Sequence, residues 1–310
     1  MAKIKKNKTS ISPVFLLGAG RSGTKFLRNI IDVSEDVSSI PYDISYVWRY
    51  QNDDCPHDEL TPNMLNASII KYIRKNLLHL AKKKSQNEHI KILLEKSVPN
   101  TLRPAFIHAI YPDAKFIHLI RDGRAVTESA LRLWQAPPER SYLLDKLKYF
   151  PWENYQYAFR YAKGIVKSKI FPDSIQHIWG PRYSGINQDV KTLPLETVCA
   201  RQWRRCIEVS QKQLSEMDAT NILEIHYEDL MKDSRTIEKV CEFLEIEDKD
   251  TVIKHYEDKV VRSNTDKWKN RLTKDQLATI NLEIEMLNKK LGYSYDKKEI
   301  ENEIYSKQNP

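Results

Sequence analysis

PVFLLGAGRSGTKFLRNIID, residues 13–32, holds the pattern that decides the fold. An apolar run ends at Gly18, and Phe26, Leu27, Ile30 and Ile31 then recur at helical spacing. The order is strand, glycine-rich turn, helix. Gly18 and Gly23 keep the spacing of the phosphate-binding pattern G-x-x-x-x-G-K-[ST], but Thr24 and Lys25 stand in reversed order. Such a turn aims backbone N–H groups and the positive end of a helix dipole at an anion. Ser22 and Thr24 add hydroxyls, and Arg21 and Lys25 add charge. Taken alone, the stretch suits a triphosphate loop, a plain tight turn or a different phosphate site.

Working outward, KILLEK (91–96), KFIHLI (115–120) and NILEIHY (221–227) read as further strands. Helices are expected at 60–84, in a short piece before Tyr111, and at 122–134, 195–217, 236–246 and 272–293. Apolar strands alternating with helices predict an α/β fold with a P-loop-like, doubly wound parallel sheet flanked by helices, which binds ligands at the carboxyl ends of its strands. The aromatic-rich stretch 135–193, with WGPRYSG at 179–185, breaks the alternation and reads as a largely helical insertion, either a packed lid or an acceptor-binding surface. One domain spanning 1–310 is expected, with residues 1–11 as a disordered basic tail.

The 310 residues are 41% hydrophobic and 10% aromatic, enough for a substantial core. A formal charge of +8 favours anionic partners but is modest once the lysines of MAKIKKNK are set aside, so nucleic acid is not the expected partner. No apolar run has the length of a membrane span and no signal-peptide pattern opens the chain, which makes a cytoplasmic location the expectation. Cys55, Cys199, Cys206 and Cys241 show neither zinc-ligand nor disulfide-framework spacing and read as reduced packing residues.

A second constellation narrows the reading. Arg121 stands at the end of the 115–120 strand and Ser129 in the helix that follows, with Arg124 between. They offer guanidinium and hydroxyl groups to a second phosphate. The strand ends in Arg121-Asp122 rather than in a clear magnesium-binding acidic residue, which counts against a P-loop kinase. Two phosphate sites a nucleoside apart suit a nucleotide phosphorylated at its 5′ and 3′ positions.

GRSGTKFL (20–27) resembles the 5′-phosphosulfate loop, and FIHLIRDGRAVTES (116–129) the 3′-phosphate motif, of sulfotransferases that use 3′-phosphoadenosine 5′-phosphosulfate (PAPS). The similarity continues through LEKSVPN (94–100), YEDLMKD (227–233), CEFLEI (241–246), VVRSNTDKWKNRL (260–272) and LNKKLGY (287–293), in the manner of tyrosylprotein and bacterial carbohydrate sulfotransferases. The resemblance implies PAPS as co-substrate, no metal, and a hydroxyl or amine acceptor, with a carbohydrate favoured over a tyrosyl peptide. It assigns Arg21 to the leaving phosphate, with Ser22, Gly23 and Thr24 cradling it, and Lys96 to the transferring sulfonate. Lys25 replaces the commoner second threonine. Arg121, Ser129 and Arg204 or Arg201 fall to the 3′-phosphate, Tyr227 to adenine, and Ser263, Lys267 and Lys269 to the segment closing over the nucleotide. Asp43 is the expected general base, with Glu95 and His108 as fallbacks.

Overall fold

The structure, a computed structural model, describes residues 11–40, 42–84, 90–135, 178–262 and 265–293. Five strands, β1 (Ser12–Leu17), β2 (Val37–Ser39), β3 (Ile92–Glu95), β4 (Lys115–Ile120) and β5 (Ile222–His226), form one sheet in the order β2-β3-β1-β4-β5. All four pairings are parallel. The first connection leaves β1 toward β2, and the later one from β3 crosses back to β4 on the other side of β1. The loops after β1 and β4 therefore diverge, opening the crevice typical of a topological switch point.

The helices are α1 (Thr24–Ile31), α2 (Ser45–Trp48), α3 (Ala67–Lys84), α4 (Pro104–Ile110), α5 (Gly123–Gln135), α6 (Ile186–Thr192), α7 (Leu195–Leu214), α8 (Tyr227–Lys232), α9 (Arg235–Leu244), α10 (Lys249–Lys259) and α11 (Lys274–Lys290). β1 is apolar on both faces because both are covered. Phe15 and Leu17 enter a core with Trp48, Ile73, Leu77 and Phe106, while Val14 and Leu16 pack with Leu27, Ile30, Leu230 and Val240. A third core joins α5, α7 and α11 through Val126, Trp203, Ile207 and Ile284, beside Ile120 at the end of β4.

The expected α/β sheet is present, with differences at particular elements. The helix expected from residue 60 begins at Ala67, after a 3-10 turn at Pro62–Met64. Leu65 is extended, and Asn66 Oδ1 accepts from Ile69 N at 2.9 Å, which starts the helix there. Tyr227, read as the end of a strand, opens α8. Residues 178–193 contain α6, while 136–177 of the expected insertion and the 1–10 tail lie outside the described residues. Among the described residues no helix is long and apolar enough to cross a membrane.

Candidate active site

The loop between β1 and α1 is held from behind by Thr101, whose Oγ1 accepts from Gly18 N and donates to Gly18 O, both at 3.0 Å. Gly23 has φ 94°, and a Cβ there would lie 2.5 Å from Tyr227 Cδ2, so the left-handed turn and the ring seated on it both require glycine. α1 has no side-chain cap and no acidic residue in its first turn, which leaves its N–H groups directed at the crevice. Ser22 is fully buried, and among the described residues its Oγ has no hydrogen-bond partner. Lys25 is exposed on the first turn of α1.

Arg21 also lies in the left-handed region, with φ 76°, which costs a non-glycine residue about 1–3 kcal/mol. Its surroundings hold it there. Arg121 Nη1 donates to the Arg21 carbonyl at 3.0 Å, and Arg21 Nε donates to Ser129 Oγ at 3.0 Å. The two phosphate motifs, read from sequence as separate sites, are thus joined by the Arg21 side chain. Arg121 also lies over the Tyr227 ring, 4.1 Å from its centroid. Desolvation, with Arg132 and Arg121 alongside, pushes the Arg21 guanidinium below its ordinary range against the opposing influence of Glu128. Like charges gathered in this way favour an anion between them.

The turn carrying Arg121 is fixed from two helices. Trp203 Nε1 of α7 donates to the Arg121 carbonyl at 3.1 Å, and Asn288 of α11 bonds both Gly123 N and Asp122 Oδ1 at 3.1 Å. Asp122 in turn binds Arg124, whose guanidinium lies 4.5 Å from the centre of the Trp268 ring. Trp203 and Trp268 are buried packing residues. Arg132, absent from the sequence reading, joins this cluster: its Nη2 is 3.5 Å from Ser129 Oγ and its Nε 2.7 Å from Glu128 Oε1. Three-residue spacing from Ser129 on a helix is the signal that would have found it.

On the β3 side the two catalytic candidates meet. Lys96 Nζ donates to Asp43 Oδ1 at 3.0 Å, with the lysine side chain 10% and the aspartate 23% exposed. Behind them, Ile44 N donates to Ser97 Oγ at 3.0 Å, Ser97 Oγ donates to Glu95 Oε1 at 2.5 Å, and Asn100 Nδ2 donates to Glu95 Oε2 at 2.6 Å. Trp48 Nε1 also donates to Glu95, at 3.3 Å. Burial foremost, with Asp43 nearby, pushes the Glu95 carboxyl above the usual carboxylate range. Glu95 thus serves as an anchor for the backbone beside Asp43, and every oxygen it would use as a base is engaged. His108 is half-buried on α4, and among the described residues no hydrogen bond or ion pair joins it to the Lys96–Asp43 pair. Ser97→Ala leaves the buried Ile44 N–H unpaired and is expected to cost about 1–3 kcal/mol of stability, read by denaturant unfolding.

The remaining candidates are scattered. Arg204 Nη2 binds Glu283 at 2.7 Å, and Arg201 binds Glu283 and Asp189, each at 2.8 Å, so both arginines are engaged between α6, α7 and α11. Lys267 is exposed and Lys269 half-buried on the turn that carries Trp268, while Ser263 lies outside the described residues. His118 is a buried strand histidine between Glu224 and Ser210. Among the described residues no group of three or more His, Cys, Asp or Glu is placed to hold a metal ion.

The pattern described as the sulfotransferase family matches residues 13–178 and 171–250, and the chain belongs to that family. The matched residues include the glycine-rich loop, Asp43, Lys96, Arg121, Ser129 and Tyr227. The activity that membership supports is sulfuryl transfer. Among solved structures, the chain is similar to the sulfotransferase domain from the curacin biosynthetic pathway, with TM-score 0.49, 14% identity, and coverage of 89% of this chain and 98% of that one. The corresponding values for the sulfotransferase domain of the Synechococcus PCC 7002 olefin synthase are 0.48, 16%, 90% and 97%. For a sulfotransferase from Mycobacterium avium they are 0.49, 10%, 92% and 77%. No curated protein matches the chain.

Proposed function

We propose that the chain is a PAPS-dependent sulfotransferase that sulfates a hydroxyl, with a carbohydrate as acceptor. The observation that carries this reading is the Arg21–Ser129 contact, closed by the bond from Arg121 to the Arg21 carbonyl, which gathers two anion-binding motifs into one cationic cluster. The residues fit the donor. The uncapped start of α1 and the Ser22 hydroxyl, which has no hydrogen-bond partner among the described residues, suit its 5′-phosphate, with Gly23 and Thr24 completing the cradle. Arg121, Ser129 and Arg132 suit the 3′-phosphate, and Tyr227, stacked under Arg121, suits a purine. Lys25, Lys267 and Lys269 are assigned to the outer rim of the nucleotide site. Arg204 is left out, because Glu283 holds its guanidinium.

The acceptor oxygen bonds to sulfur as the bond from sulfur to the 5′-phosphate oxygen breaks, and the hydroxyl proton passes to Asp43. Lys96 keeps Asp43 oriented and lies ready for the sulfonate oxygens, while Arg21 neutralises the charge that accumulates on the leaving phosphate. The test is transfer of radiolabelled sulfate from PAPS to a panel of oligosaccharides, tyrosyl peptides and small alcohols. Labelled oligosaccharide is expected; label confined to the peptides would overturn the carbohydrate assignment, and no label on any acceptor would overturn the transfer itself.

A further inference from the structure

The two flanks of the glycine-rich loop differ in chemistry. Toward β4 and β5 lie Tyr227, Arg121 and Ser129, the cationic nucleotide side. Toward β3, a Cβ at Gly20 would lie 3.1 Å from Trp179 Cη2 and 3.7 Å from Val98 Cγ1. Val98 follows Lys96 and Ser97 directly, so the indole and the segment just past the proposed catalytic lysine both approach the donor loop at Gly20.

This placement is fixed by the strap 179–184. Gln202 Nε2 donates to the Trp179 carbonyl at 2.9 Å and to the Pro181 carbonyl at 2.7 Å. Asp58 N donates to the Arg182 carbonyl at 2.7 Å, while Arg182 N donates to Asp58 Oδ2 at 2.8 Å. Ser184 N donates to Glu59 Oε1 at 3.0 Å. Gly180, with φ 81°, lets the chain turn tightly against Gln202. A half-buried indole on a backbone anchored at four residues is a rigid apolar surface against the donor loop.

We infer that Trp179 is a specificity-determining contact for the acceptor, forming the wall on which a flat apolar face, the C–H face of a sugar or an aromatic aglycone, lies while its hydroxyl faces Asp43. The assignment rests on the proposed sulfotransferase function and adds the substrate contact that function lacks. Stacking on aromatic surfaces tolerates chemical variety but requires a flat partner, so this wall selects acceptors by shape rather than by charge.

The probe is 4-nitrophenyl β-D-galactopyranoside titrated calorimetrically into protein saturated with 3′-phosphoadenosine 5′-phosphate (PAP), a pair that cannot react. Trp179→Ala is expected to weaken glycoside binding about tenfold, with Trp179→Phe within about twofold of the parent and the PAP dissociation constant unchanged in both. PAP binding that weakens in step with glycoside binding would move Trp179 to the nucleotide side and overturn the assignment. So would an unchanged glycoside affinity in Trp179→Ala, or a PAP-loaded parent protein that does not bind the glycoside. A parent protein that fails to bind PAP contradicts the donor reading instead.

Discussion

Asp43→Asn is expected to lower kcat roughly 10²–10⁴-fold, the range for loss of a positioned general base. The substitution is nearly isosteric, and its amide oxygen still accepts from Lys96 Nζ, now 3.0 Å from Asp43 Oδ1. The backbone next to it is held independently, by the bond from Ile44 N to Ser97 Oγ and on to Glu95. The geometry should therefore survive while the proton acceptor is lost. Because Asp43 contacts the nucleotide side in no hydrogen bond or ion pair described above, PAP affinity should stay within about twofold of the parent. Turnover equal to the parent's would remove Asp43 from the chemistry.

The second large effect is on the donor. Arg121→Ala is expected to weaken PAP binding roughly 10²-fold, the consequence of deleting a charge-assisted contact to phosphate in a partly desolvated site. The loss reaches further than one contact. Arg121 Nη1 holds the carbonyl of Arg21, whose left-handed backbone aims the side chain at Ser129, and the same guanidinium covers Tyr227. Folding should be little affected, because Trp203 is bonded to the Arg121 carbonyl, which the substitution retains. PAP binding that is unchanged in a folded Arg121→Ala protein would separate this arginine from the 3′-phosphate.

Much of the fold was legible because four of the five strands are apolar runs of four to six residues bounded by turns or helices. β2 was not, since Val37-Ser38-Ser39 carries a single apolar residue and is buried by its neighbours rather than by its own pattern. α10 escaped for a related reason: only Val252 and Tyr256 of its eleven residues are buried. The missing β2 had a cost at the site. Asp43 follows β2 and Lys96 follows β3, and these strands are adjacent, so the pairing of two residues named separately emerges only once β2 is in the sheet.

The glycine-rich loop, Arg121, Ser129 and Tyr227 could be named from local motifs, whose backbone requirements are written in nearby residues. What could not be read was which long side chains cross between elements. Arg21 reaches Ser129 across 108 positions, while Arg204 turns away to Glu283. The role of Glu95 was also hidden, because a glutamate at a strand end reads alike whether it is open to substrate or enclosed by Trp48, Ser97 and Asn100.

We propose the joined arginine cluster as the site of a nucleotide with both 5′ and 3′ phosphates. The most direct test is calorimetric titration of the parent protein with PAP and, separately, with ATP and magnesium. Tighter binding of PAP, lost in Arg121→Ala, is the expected result; tighter binding of ATP with magnesium would contradict the account and return the loop to the triphosphate-binding class.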